Sequence, residues 1–230
     1  MSKKEQVRTM FNNIAGKYDF LNHFLSAGVD YSWRRKVIRI LKMHQPKKIL
    51  DVATGTADLA IAEAKLNAES VIGVDIADQM LDYGRKKISD KQLGDVITLE
   101  NGDAENLRFG EGTFDAVTVA FGVRNFEDLD KGLQEMYRIL NPGGIAVILE
   151  FSSPKKFPVK QVYNFYFHNI LPLAGRIISK DRAAYTYLPE SVNAFPDGQN
   201  FLNYMHAAGF RDTTARPLTF GIASIYTGMK

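Results

Sequence analysis

Cysteine is absent from this chain of 230 residues. Its absence excludes disulfide bonds, thiol nucleophiles and metal sites built from cysteine. Histidine is scarce as well, and the four histidines lie too far apart in sequence to form a zinc motif: His23, His44, His168 and His206. The sequence therefore predicts no metal site.

Long apolar runs and an excess of charge are also missing. No run approaches the ~20 residues of a membrane-spanning helix, and the first six residues lead into no apolar secretory segment. The net charge of +3 is too small to indicate a nucleic-acid partner. We therefore expect a cytoplasmic protein whose mild positive charge would tolerate the surface of an anionic membrane. No feature of the sequence indicates an oligomeric state.

Strand and helix patterns alternate through most of the chain, which is 45% hydrophobic and 24% charged and thus ordinary for a globular protein. The predicted strands are 48–54, 70–75, 96–101, 114–120 and 144–151, then 211–217 and 222–227 after a helix over 199–208. This order predicts an α/β fold with a doubly wound, seven-stranded sheet, mostly parallel, that ends in an antiparallel hairpin. We expect a single domain: a helical N-terminal cap (1–45), a cofactor-binding core (46–151), a helical insert (152–194) and a C-terminal helix and hairpin (195–230).

Two segments interrupt this alternation. The insert is rich in Lys and Arg, and its stretch Pro158 to Leu173 is apolar on almost every side, so it must be buried, line an apolar pocket or contact a membrane. In the cap, the polar cluster Tyr18 to Asn22 is either a lid on the substrate side or simple capping and turn chemistry.

The stretch 49–59 indicates a strand, a tight turn and the start of a helix. Asp51 stands near the carboxyl end of this strand, where open parallel sheets bind ligands. Asp75 ends the next apolar run 24 residues later and matches the acid that grips a ribose diol in such folds. The alternative is an ordinary strand-to-helix turn with Asp58 as the N-cap.

The turn itself argues against a pyrophosphate ligand. A dinucleotide loop needs three glycines, and here only Gly55 remains, with alanine at the neighbouring small positions. Asp51 and Asp58 would repel a pyrophosphate but would suit a ligand with an ammonium and a sulfonium group. S-adenosylmethionine is such a ligand, and a nicotinamide dehydrogenase is disfavoured.

The chain resembles the seven-stranded class I S-adenosylmethionine methyltransferases, which have a Rossmann-like fold, in the motifs 51–57, Asp75, 101–104 and 141–144. Residues 18–26 with 31–34, and residues 138–152, are similar to the family that C-methylates demethylmenaquinol or its ubiquinone-pathway counterpart; 121–125 and 167–172 strengthen this resemblance. The chain departs from the family pattern at Leu21 (usually Met), Asp30 (usually His) and Ala120 (a small hydroxyl residue in some members).

The resemblance implies roles on the cofactor side. Asp75 would accept both ribose hydroxyls of S-adenosylmethionine. Asp103 would accept from the adenine amino group while the N–H of Ala104 donates to a ring nitrogen; alternatively these two residues belong to a solvated turn. Asp51 and the turn around Gly55 would hold the methionine ammonium, and Thr56 would bind near the same end.

The acceptor would be a prenylated quinol, whose tail could lie in a groove formed by the insert and the first helices. Arg124 and Asn125 are the catalytic candidates: arginine would stabilise a phenolate, and asparagine would orient the ring oxygen or a water. Because a guanidinium stays protonated, the base would be Asp19, His168 or water. Alternatively, Arg124 forms a surface salt bridge with Glu127 or Asp128, and His168 is structural. The functional alternatives are methylation of a benzoquinol and a non-catalytic S-adenosylmethionine-binding protein.

Overall fold

The computed structural model describes residues 2–26, 28–165 and 182–230. Its sheet has seven strands in the order β3-β2-β1-β4-β5-β7-β6. The strands are β1 Lys48–Val52, β2 Ser70–Asp75, β3 Ile97–Asn101, β4 Phe114–Ala120, β5 Leu140–Phe151, β6 Arg211–Leu218 and β7 Ala223–Met229. The first five strands pair in parallel, and β7 runs antiparallel to both β5 and β6. The predicted α/β sheet with a late antiparallel hairpin is confirmed.

The helices lie before the sheet and between its strands. They are α1 Lys3–Leu25, α2 Val29–His44, α3 Asp58–Glu63, α4 Asp78–Asp90, α5 Leu129–Ile139, α6 Val159–Phe165, α7 Arg182–Ala194 and α8 Gln199–Ala207. Short 3₁₀ segments occur at Ala64–Leu66, Val123–Asn125 and Thr219–Gly221. Among the described residues, no helix has the length and apolarity needed to cross a bilayer.

Helices cover both faces of the sheet. Consecutive strand residues point to opposite faces, so neighbouring residues pack against different helices. Ile49 of β1 packs in one apolar cluster with residues of α2, α3 and α4. Its neighbour Leu50 packs in a second cluster with residues of α5 and α8. The single Trp33 of α2 is 2% exposed and donates from its indole nitrogen to Thr219 Oγ1 at 2.8 Å, which ties α2 to the turn of the terminal hairpin.

The ends of several elements follow from local chemistry. Asp128 caps α5 by accepting from the Lys131 N–H, and Gly143, within β5, has a positive φ of 81°. In contrast, the expectation that Asp58 caps α3 is wrong. Ala57 holds that position in a left-handed conformation, and Asp58 is the first residue of the helix.

The structure tests part of what was expected of the cap and the insert. The cluster Tyr18 to Asn22 lies inside α1, so capping and turn chemistry is excluded there. In the insert, the structure describes α6 as far as Phe165. Residues 166–173 of the predicted apolar helix, His168 among them, lie outside the described residues. The division of the chain into cap, core, insert and C-terminal part stays a prediction.

Candidate active site

A cavity of about 640 Å³ of empty space, part of it open to solvent, lies at the carboxyl edge of the parallel strands beneath α1. Phe11 and Tyr18 of α1 form one wall, and Asp75, Asp103 and Asn125 lie on the sheet side. The crevice predicted from the positions of the acids is therefore present.

A second, smaller cavity of about 340 Å³ lies beside the first. Arg34, Asp51 and Thr56 line it. The two cavities adjoin each other, because they share five lining residues: Tyr18, Ala53, Gly55, Ala120 and Phe121. We refer to the first as the main cavity and to the second as the side cavity.

The turn after β1 separates the two cavities. Gly55 has a φ of 57°, and a Cβ there would lie 3.3 Å from the Met80 side chain, so glycine suits both the backbone and the space. Below it, a Cβ at Gly122 would come within 2.5 Å of the Ala53 Cβ. Small residues therefore keep the floor of the site open.

Asp75 occupies the end of β2 and lines the main cavity. Its two carboxylate oxygens each accept a backbone N–H, from Gly55 and from Ala77, both at 2.9 Å. Burial raises the pKa of this carboxyl, and the N–H donors oppose that shift. These two backbone donors fix the direction of the carboxylate.

Asp51 is 1% exposed and lines the side cavity. It accepts from Thr54 Oγ1 at 2.6 Å and from Thr118 Oγ1 at 3.2 Å. Desolvation raises its pKa to about 7, although both hydroxyl donors favour the ionised form. Asp51 therefore sits where a cationic group would tip its charge state near neutral pH.

Thr56 also lines the side cavity, but its hydroxyl is already engaged. It donates to Asp19 Oδ1 at 2.5 Å and accepts from Lys87 Nζ at 3.2 Å. Lys87 bridges Asp19 and Asp58 as well. This network holds α1 against α3 and α4, so Asp19 has a structural task and does not line the main cavity.

Asp103 and Ala104 line the main cavity just after β3. Asp103 is partly exposed, accepts from the Glu105 N–H at 3.0 Å and pairs with Lys4 Nζ at 2.7 Å. Lys4 also pairs with Glu105 at 2.9 Å, and the neighbouring Lys3 Nζ donates to the Phe126 carbonyl at 2.5 Å. The first turn of α1 is therefore bound to the loops that border the cavity.

Arg124 does not line the main cavity. Its side chain is 6% exposed and its Nη1 lies 2.7 Å from Oε1 of Glu150, which is fully buried at the end of β5. Arg124 also donates to the Phe121 carbonyl at 2.5 Å and to Ser191 Oγ at 3.3 Å, and its Cζ lies 5.4 Å from the ring centre of Phe151. The expected partner acids, Glu127 or Asp128 at the surface, were wrong because the chain brings β5 and α7 against this arginine.

Asn125, the second catalytic candidate, does line the main cavity. Its Oδ1 accepts from the hydroxyl of Tyr187 at 3.0 Å, and its Nδ2 lies 3.5 Å from the Phe121 carbonyl. Burial raises the pKa of Tyr187, while the nearby Arg124 lowers it. Asn125 is therefore oriented from the α7 side.

Sequence reasoning missed Glu150, Tyr187 and Arg34. Glu150 had a detectable signal, since an acid that ends a long apolar strand is buried and needs a cation. Arg34 lies in a basic run, and the sequence gave no reason to prefer it over its neighbours. Its partner Asp30, at 2.5 Å, is a departure from the family pattern, so the resemblance did not indicate this pair either. Tyr187 had no local signal.

The sequence matches the model of the ubiE/COQ5 methyltransferase family over residues 1–230. The chain belongs to that family. A ubiE/COQ5 relative from Bacteroides fragilis, named demethylmenaquinone methyltransferase, is 49% identical over 99% of this chain and 94% of its own length. One from Geobacter sulfurreducens, named ubiquinone/menaquinone biosynthesis C-methyltransferase UbiE, is 47% identical over 99% of this chain and 90% of its own length.

Solved structures agree on the fold of this ubiE/COQ5 member. A putative S-adenosyl-L-methionine-dependent methyltransferase from Methanococcus maripaludis has a TM-score of 0.68 at 19% identity, covering 95% of this chain and 93% of that one. A Haemonchus contortus N-methyltransferase in complex with S-adenosylhomocysteine has a TM-score of 0.62 at 15% identity, covering 90% and 58%. At such identities the likeness concerns the fold.

Proposed function

We propose that this ubiE/COQ5 methyltransferase transfers a methyl group from S-adenosylmethionine to a ring carbon of prenylated demethylmenaquinol, which yields menaquinol. The observation that carries the proposal is the two-part site, in which acids meet at the sheet edge beside Asn125. The name of the Bacteroides fragilis relative supports the naphthoquinol as acceptor. S-adenosylmethionine supplies an electrophilic methyl group when it is bound.

The described residues fit this cofactor in their chemistry. Asp75 would accept from the ribose hydroxyls, since its oxygens are already aimed by backbone donors. Asp103 and Ala104 would take the adenine at the same end of the main cavity. Asp51 would receive the ammonium in the side cavity, with Thr56 supporting that end through its bonds to Asp19 and Lys87. The shared Gly55 region then lies between the two ends.

On the acceptor side, a quinol ring carbon becomes nucleophilic when a phenol with a pKa of about 10 loses its proton. Asn125 would hold the phenolic oxygen or a water that takes this proton, because it lines the cavity and Tyr187 fixes its amide. Arg124 would act as a positioning residue for the segment that carries Asn125, since its charge is already paired with that of Glu150. The ring carbon finally loses its own proton, which restores the aromatic ring.

Turnover tests this proposal. The purified protein is incubated with S-adenosylmethionine and a short-tailed demethylmenaquinol under reducing conditions, and products are identified by mass. We expect one added methyl group on the naphthoquinol ring. A matched benzoquinol with the same tail measures the competing acceptor. Binding of S-adenosylmethionine without methylation of either quinol would favour the non-catalytic alternative and contradict the proposal.

We also propose that the protein works from the cytoplasmic side of a membrane and touches its surface through the insert. Phe157 and Val162 are 82% and 66% exposed, and the exposed residues Lys155, Lys156 and Lys160 lie close to them in sequence. Phe220, also 82% exposed, lies in the hairpin turn that packs on Pro154. Exposed apolar side chains in a segment that also carries lysines suit an anionic lipid surface.

Co-sedimentation with vesicles tests the contact. We expect binding to vesicles that contain anionic lipid, weaker binding at high salt, and a loss of binding in the double variant Phe157→Ser with Phe220→Ser. Tyr83→Ser on α4, which removes a 46% exposed aromatic ring from another region, is the control. If vesicle binding changes neither with salt nor in the double variant, the membrane proposal is wrong, while the methyltransferase proposal is unaffected.

A further inference from the structure

Arg34 of α2 is a buried cation with an unused donor. Its side chain is 10% exposed, and its Nη1 donates to Asp30 Oδ2 at 2.5 Å. Its Nη2 lies 3.6 Å from Asp58 Oδ2, which is beyond ordinary hydrogen-bond range. Its Nε is buried and has no acceptor within the part of the chain that the structure describes. A buried donor left unpaired is costly, so such a group needs an explanation.

The position of Arg34 supplies that explanation. Arg34 lines the side cavity together with Asp51, and this cavity shares the turn at Gly55 with the main cavity. Asp58, the other acid near Arg34, is also paired with Lys87. The side cavity therefore offers one guanidinium that is not fully paired and one buried carboxyl.

The amino-acid end of S-adenosylmethionine carries two charges of opposite sign. The ammonium and the carboxylate are bonded to the same carbon, so a site for one must also accommodate the other. Asp51 matches the ammonium, and the carboxylate requires a cationic partner of its own. Guanidinium is the side chain best suited to a carboxylate, because its planar set of donors fits the two oxygens.

We propose that Arg34 binds the carboxylate of the amino-acid end of S-adenosylmethionine in the side cavity. The proposal rests on the cofactor placement given under the proposed function and extends it to a residue outside the predicted site. Arg34 thereby discriminates the cofactor from analogues that lack the carboxylate. Asp30 holds the guanidinium in place, which gives the departure from the family pattern at this position a physical role.

Three ligands separate this role from a purely structural one. S-adenosylmethionine has the carboxylate, decarboxylated S-adenosylmethionine lacks only that group, and 5′-methylthioadenosine lacks the whole amino-acid end. Calorimetry with the wild-type protein should show tighter binding of the first than of the second. In Arg34→Gln we expect S-adenosylmethionine to bind about 10- to 100-fold more weakly, which removes this preference. The affinity for 5′-methylthioadenosine should stay unchanged, which also reports that the site is folded.

Two further variants complete the experiment. Arg34→Lys keeps the charge and the pair with Asp30, so it should retain part of the preference and remains usable if the glutamine variant fails to fold. Arg35→Gln changes the neighbouring exposed arginine and should behave as wild type. Equal weakening of all three ligands in Arg34→Gln, or wild-type protein that binds the decarboxylated compound as tightly as the cofactor, would overturn the proposal.

Failure of the cofactor placement itself gives a different pattern. Asp75→Asn should weaken all three ligands, because each contains the ribose. If this variant binds 5′-methylthioadenosine as wild type does, the adenosine does not lie against Asp75, and the roles of Asp75 and Arg34 fall together. If Asp75→Asn behaves as expected and Arg34→Gln does not, the inference about Arg34 alone is wrong.

Discussion

The cofactor side and the acceptor side of the site hold their charged groups in different ways. Asp75 borders the main cavity and is fixed by backbone N–H groups, so its charge remains available for a ligand. Arg124 lies behind the cavity and its charge is matched by the buried Glu150. The cofactor side is therefore built for direct contact. The acceptor side is built to orient Asn125, with charge used to hold the segment in place.

The largest expected effect concerns the buried pair on the acceptor side. Glu150→Ala leaves the guanidinium of Arg124 buried without its anion, and such a loss costs about 3–5 kcal/mol of the free energy of unfolding. Urea denaturation of the two proteins measures it. Lys155→Ala is the control, because its pair with Asp197 at 3.2 Å involves a lysine that is 75% exposed and should cost less than about 1 kcal/mol. Similar small losses in both variants would show that the buried Arg124–Glu150 pair contributes no more to stability than an exposed pair.

The next effect concerns the cofactor side. Asp75→Asn removes the charge that the ribose hydroxyls would meet, and hydrogen bonds to charged groups contribute about 1.5–3 kcal/mol. We expect calorimetry to show a weaker affinity for S-adenosylmethionine by that amount. Asp82→Asn on α4 serves as the matched control, because Asp82 is 69% exposed and forms a surface ion pair with Arg85 at 2.8 Å. An unchanged dissociation constant in Asp75→Asn would contradict its assignment.

Asn125 tests whether the acceptor side acts on the reaction step. In Asn125→Ala we expect kcat to fall by about 10²-fold, since the group that holds the reacting oxygen is lost, while calorimetry shows little change in the affinity for S-adenosylmethionine. Tyr187→Phe removes only the hydroxyl that orients Asn125 and should have a smaller effect, about fivefold for one hydrogen bond. A large loss of cofactor affinity in either variant would place Asn125 on the cofactor side instead.

A pH dependence is expected at Asp51, whose pKa is raised to about 7 by burial. An ammonium bound nearby favours the ionised carboxylate, so binding releases a proton below pH 7. The affinity for S-adenosylmethionine should therefore rise with pH, by up to about tenfold per unit, and level off above 7. Calorimetry across this range measures the slope. Asp51→Asn should abolish it, and 5′-methylthioadenosine should show none in wild type.

The raised pKa of Asp51 also affects the stability of the fold. Affinity for the cofactor should rise with pH, whereas the free energy of unfolding should fall. Between the unfolded pKa near 3.8 and the folded value of about 7, the native protein binds more protons at Asp51 than the unfolded chain does. Asp51 therefore makes the folded state less stable as pH rises through this window. Denaturation at pH 5 and at pH 7.5 should show a smaller difference in Asp51→Asn than in wild type. An unaltered difference would mean that another group controls it.

Much of the fold and of the cofactor side could be predicted from sequence. The apolar runs that end in Asp51 and Asp75 predicted two neighbouring strands, and both acids lie at the expected edge. The exact paths of the cap and the insert could not be predicted. The cluster 18–22 has turn-like residues yet continues α1, because Asp19 gains bonds to Thr56 and Lys87 from distant elements.

By itself, the sequence determined the alternating elements, the order of parallel and antiparallel strands and the single-glycine turn, since these depend on local periodicity and turn chemistry. Only the tertiary structure decided which charges meet. The pairing of Arg124 with Glu150, and the approach of Arg34 to the cavity beside Asp51, join residues from separate elements. Sequence spacing carries no such information, because the packing of helices on the sheet sets the distance between side chains and the water left around them.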